Sequence, residues 1–79
     1  MSEDEIARVV VDAAYRIHTT LGPGLVESVY ETVLAHELMK RGLAVSRQVP
    51  VTIRYQGVEL EGGFKADLIV EEKVMVEIK

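Results

Sequence analysis

Three ionisable residues near the end of the sequence stand in runs that are otherwise apolar. Asp67 precedes Leu68-Ile69-Val70, and Glu77 and Lys79 flank Ile78 after Val74-Met75-Val76. A charged group seldom stays in such a run unless it is paired or holds a metal. Two carboxylates and an amine converging on a sheet suit phosphodiester hydrolysis with a divalent cation. Magnesium and manganese take oxygen ligands and keep several waters, so one or two carboxylates and a backbone carbonyl make a site. Asp67, Glu77 and the carbonyl of Ile78 would supply it. Lys79 would position or deprotonate the attacking water, or stabilise charge developing on the phosphate. The plainer reading leaves Glu77 and Lys79 as solvated strand residues and pairs Asp67 with Lys65 or Lys79.

These groups converge only if the strands pair in one register. Phe64, Ala66, Leu68 and Val70 share one face, and Lys65, Asp67 and Ile69 the other. After Glu71-Glu72-Lys73, Val74, Val76 and Ile78 alternate with Met75, Glu77 and Lys79. A three-residue loop at 71–73 pairs Val70 with Val74, unites the apolar faces and sets Asp67 opposite Glu77. A two-residue loop would separate the carboxylates. Upstream, Val45, Val49, Val51, Ile53 and Tyr55 alternate with Ser46, Gln48, Thr52 and Arg54, a half-buried strand. Pro50 favours an edge position or a bulge there. Gln56-Gly57 reads as a turn, Val58 to Leu60 as a short continuation, and Glu61-Gly62-Gly63 as a second break.

Two helices precede the strands. Ser2 and Glu5 form a capping box, followed by an apolar stripe of Ile6, Val9, Val10, Ala13, Ala14, Ile17 and Leu21. This places the first helix over about residues 3–20, ended by Leu21-Gly-Pro-Gly24. A second helix is expected from near Leu25 to about Arg41, with Gly42 as its stop. Its stripe is read as Val26, Val29, Tyr30, Val33, Leu34 and Leu38, with Glu27 on the flank and Glu37 near the middle. Glu27 would then add a further ligand or a water-mediated contact. Glu37 is expected to pair with Arg16, Arg47 or Lys65. Tyr30 reads as a packing residue whose hydroxyl finds a polar partner near Glu27. His18 and His36 lack a third ligand at a zinc spacing and read as structural or exposed.

Seventy-nine residues make one small domain, 48% hydrophobic and 28% charged. No run reaches the roughly 18 to 20 apolar residues of a membrane span, and no secretory leader is visible. The lack of cysteine excludes disulfides and thiolate zinc sites, and favours the cytoplasm. Thirteen acids against nine bases give a net charge of −4. Strong nucleic-acid binders usually carry a basic excess, so nucleic acid would be bound only weakly unless bound cations reversed the local sign.

Gly24-Leu-Val-Glu27-Ser-Val-Tyr30, preceded by Leu21-Gly-Pro, resembles the signature of the GxxExxY family. Asp67 with Glu77-Ile-Lys79 downstream resembles the core motif of the PD-(D/E)XK nuclease superfamily, although Ala66 stands where proline is usual. The resemblance spans essentially the whole chain. It implies a divalent-metal-dependent nuclease-like domain in which Glu27, Asp67 and Glu77 gather magnesium or manganese and Lys79 completes the site. The alternative is a non-catalytic interaction or oligomerisation module on the same scaffold. The superfamily core continues past its lysine into another helix and strand, so these residues are expected to be the N-terminal part of a restriction-endonuclease-like fold. The expected architecture is an α/β fold of α+β layout, two N-terminal helices packed on a three-stranded, mainly antiparallel sheet. With no strand beside it, the 74–79 strand has an open apolar edge, which predicts a homo-oligomer.

Overall fold

In a computed structural model that describes residues 1–79, helix α1 spans Glu3–Leu21 and begins at the expected capping box. The Ser2 hydroxyl accepts from the Glu5 N–H, and the Glu5 carboxylate accepts from the Ser2 N–H at 2.9 Å. Ile6, Val10, Ala13 and Ile17 form its buried face. Gly22, at φ 77°, ends the helix, a left-handed angle that glycine adopts without strain.

Helix α2, Glu27–Lys40, presents a different face from the one its valines suggest. Glu31, Leu34, Ala35 and Leu38 are buried, while Val26 and Val29 are exposed. Tyr30 and Val33 lie beside the core rather than in it. Packing against two neighbours at once explains the rotation. The face towards the sheet carries Glu31, Leu34 and Leu38, and α1 covers the flank, where Tyr30 Oη donates to the Ala14 carbonyl at 2.9 Å. That carbonyl, not the surroundings of Glu27, is the polar partner of Tyr30. Glu37 pairs with Arg41 one turn on, not with Arg16, Arg47 or Lys65.

Strands β1 (Val45–Tyr55), β2 (Val58–Val70) and β3 (Val74–Val76) form an antiparallel sheet in that order. The Gln56-Gly57 turn has positive φ at both residues, as a tight two-residue hairpin turn requires. Pro50 lies on the edge strand β1, opposite Lys65. Glu61-Gly62-Gly63 does not break β2. Val51 pairs with Phe64 and Ile53 with Leu60, so three residues of β2 oppose Thr52 alone, and Gly62 at φ 70° absorbs the irregularity. The far half of this hairpin leaves the helices behind, exposing Ile53, Tyr55, Val58, Leu60 and Phe64.

The core lies between the helices and the near half of the sheet. Ile6, Leu34, Leu38, Leu68 and Val70 are fully buried there. Val70 pairs with Val74 and Leu68 with Val76, the register of a three-residue loop at 71–73. Strand β3 ends at Val76, so Glu77 and Lys79 lie just beyond the regular ladder.

Candidate functional site

The register that unites the apolar faces brings residue 67 level with the segment after β3. Asp67 Oδ2 accepts a hydrogen bond from the Ile78 N–H at 2.8 Å. Its other oxygen, Oδ1, lies 3.4 Å from Gln48 Nε2. Asp67 is therefore paired with neither Lys65 nor Lys79. It borders a cleft of about 260 Å³ lined by Glu27, Ser28, Glu31, Gln48, Asp67 and Ile78.

The helix side of this cleft follows from α2. Glu27 and Glu31 are one turn apart, at the N-terminal end of the helix that packs on the sheet. Glu27 is exposed, with no hydrogen-bond or ion-pair partner to divert it. Glu31 is the one buried charged residue of the protein, and its carboxylate is fully engaged. Arg47 donates to Oε2 through Nε at 3.1 Å and Nη2 at 2.9 Å, and Gln48 Nε2 donates to Oε1 at 2.7 Å. Arg47 also donates to Thr32 Oγ1. A buried carboxylate needs such donors, because desolvation penalises its charge.

Sequence reasoning missed the Glu31–Arg47 pair, yet both members leave a trace. Arg47 stands between Val45 and Val49 at the parity of the apolar face, and pairs with buried Leu68. Glu31 falls four residues before Ala35 and three before Leu34, on the same face. Two opposite charges on facing apolar stripes are a legible signal once both stripes are drawn.

Gln48 reaches the cleft through an unusual backbone angle. Its φ is 49°, and it makes no ladder pair between Arg47–Leu68 and Val49–Ala66. Left-handed angles are uncommon for residues other than glycine, and here the angle carries the side chain to both Glu31 and Asp67.

Of the five residues the sequence nominates, Glu27, Asp67 and Ile78 line one cleft. Glu77 and Lys79 flank Ile78, are exposed, and do not line it. His18 and His36 are exposed on the helices. A larger depression of about 610 Å³ lies along one face of α1 between Asp4 and Tyr15, away from these groups.

The donor set is all oxygen: three carboxylates and a serine hydroxyl, without imidazole or thiolate. That chemistry suits a hard cation such as magnesium or manganese rather than zinc. As placed, no three acidic, histidine or cysteine side chains gather closely enough to enclose an ion. The Gln48 amide bridges the Glu31 and Asp67 carboxylates in the cleft.

No helix is long and apolar enough to cross a membrane. No curated protein and no solved structure matches the chain significantly. The family model of the PD-(D/E)XK nuclease superfamily matches residues 4–79. A match over nearly the whole length, on a fold of two helices and an antiparallel three-stranded sheet, makes the chain a member of the PD-(D/E)XK nuclease superfamily.

Proposed function

We propose that the chain is a nuclease domain of the GxxExxY type that hydrolyses nucleic-acid phosphodiesters with magnesium or manganese. The observation that carries this reading is the shared cleft. Glu27 from α2 and Asp67 from β2, 40 positions apart in the sequence, both line it beside Ile78. Asp67, Glu77, Glu27 and the Ile78 carbonyl are the proposed cation ligands. When bound, the cation supplies Lewis acidity, activating water and screening phosphate charge.

The chain's own residues do the positioning. The Ile78 N–H orients one oxygen of Asp67 and ties the segment bearing Glu77 and Lys79 to β2. Lys79, exposed and without a partner, is the group proposed to take a proton from the attacking water or to stabilise the phosphate in the transition state. Thirteen acids against nine bases leave little general affinity for a polyanion, so a bound cation would also offset the negative charge of the cleft. The proposed site of action is the cytoplasm, which suits a chain with no cysteine to oxidise.

The test is cleavage of labelled single- and double-stranded DNA and RNA with manganese or magnesium, for the natural chain, Asp67→Ala and Lys79→Ala. Activity lost in both variants supports the reading; equal activity in all three proteins ends it. A second reading, a non-catalytic interaction module, is favoured by Glu77 and Lys79, which are exposed and do not line the cleft. Titration calorimetry separates the two, because a module would bind neither cation at millimolar concentration.

A further inference from the structure

We propose that Gln48 gates the cation site: its amide sits between Glu31 and Asp67 and swings out when a divalent cation binds, with Glu31 joining Asp67 as a ligand. This inference rests on the metal-dependent reading above and adds a residue role to it. A single amide nitrogen faces carboxylates from two elements, at 2.7 Å from Glu31 Oε1 and 3.4 Å from Asp67 Oδ1. The second distance is at the limit of a hydrogen bond, so that oxygen is only weakly held.

The far oxygen of each carboxylate is fixed by a donor that a cation need not displace. Arg47 holds Glu31 Oε2, and the Ile78 N–H holds Asp67 Oδ2. These bonds orient the carboxylates as outer partners orient ligands in metal sites. The oxygens left facing Gln48 are the ones free to turn to a cation. Magnesium draws its oxygens to about 2.1 Å, closer than an amide nitrogen stands, so amide and ion exclude each other. Gln48 is exposed, so its side chain has solvent to move into. Glu27, one turn before Glu31, lines the same cleft.

The experiment is manganese and magnesium titration calorimetry on the full chain, comparing the natural protein with Gln48→Gly and Glu31→Gln. Glycine accepts a φ of 49° without strain, so Gln48→Gly removes the amide and keeps the backbone. Removing a group that occupies the site raises apparent affinity by the reciprocal of the fraction of time the site stood open, here about 3- to 10-fold. Glu31→Gln is expected to weaken binding at least about 10-fold. In magnesium titrations followed by NMR, the Gln48 side-chain NH₂ resonances should move with the same midpoint. Unchanged or weaker binding by Gln48→Gly, or stationary Gln48 resonances, overturns the gate while leaving the metal reading intact. Unchanged binding by Glu31→Gln overturns its role as ligand. If neither the natural protein nor Gln48→Gly binds either cation, the metal-dependent reading itself fails, and the gate with it.

Discussion

The carboxylate of Asp67 accepts a 2.8 Å hydrogen bond from the backbone N–H of Ile78. Regular β2–β3 pairing ends at Leu68–Val76, so beyond it this side chain does what a backbone carbonyl does inside the ladder. One bond thus ties the residue proposed to hold the cation to the segment that carries Glu77 and Lys79.

Asp67→Asn separates charge from geometry. The amide oxygen can still accept from Ile78, so urea unfolding should shift by less than about 1 kcal/mol. Loss of the charge should lower manganese-dependent cleavage by at least about 100-fold. A variant that cleaves normally would exclude Asp67 as a ligand.

Lys79→Ala and Glu77→Ala should leave stability within about 0.5 kcal/mol, because both side chains are exposed and unpaired. Cleavage should nevertheless fall about 100- to 10,000-fold for Lys79→Ala, the usual effect of losing a proton-transfer group. The comparison is one urea titration and one cleavage time course per variant.

Glu31→Ala should be the most damaging change in the cleft to the fold itself. It leaves Arg47 without its carboxylate beside the core. The Arg47 side chain is 43% exposed, so water offsets part of the loss and the expected cost is about 2 kcal/mol. Urea midpoints measure it, and no change would show that the pair does not contribute to stability.

Arg41 makes folding sensitive to acid. Its hydrogen bonds to Asp12 and Glu37 are the chief cause holding both carboxyls below their usual range. Groups with a lowered folded pKa contribute stability that is complete above the unfolded value, about 4, and is lost as pH falls through the folded one. Arg41→Gln should therefore lower the urea midpoint at pH 7 and leave it close to the natural protein's at pH 2. A difference that persists at pH 2 would assign the effect to packing.

We also propose self-association through the open edge of β3, where Met75 is 48% exposed. Light scattering at about 100 μM should report a dimer or larger, and Met75→Lys should return it to monomer, since charge blunts an edge strand. A natural chain that is monomeric at that concentration would refute the proposal.

Local physical chemistry made much of this molecule readable from its residues. The Ser2–Glu5 capping box, the α1 stripe and the Val70–Val74 register are set by near neighbours or by side-chain parity. They appear as expected, except that Leu21 at the end of the α1 stripe is exposed. The same parity places Asp67 beside the segment holding Glu77 and Lys79, and Glu27 lines the same cleft as Asp67. Features decided between elements were not legible. The inward face of α2 was settled by contact with α1 and the sheet together, which exposed Val26 and Val29 and buried Glu31. Gly62 could have ended a strand, but as a bulge it let β2 run on to Val70. Gln48, at a positive φ, bridges Glu31 of α2 to Asp67 of β2, a contact between elements distant in the chain. Which groups are available and which strand face they occupy follow from residue order, because pleat and helix periods are local. Which charges meet depends on how the elements pack, because the donors that satisfy the buried Glu31 carboxylate come from β1, distant in the chain.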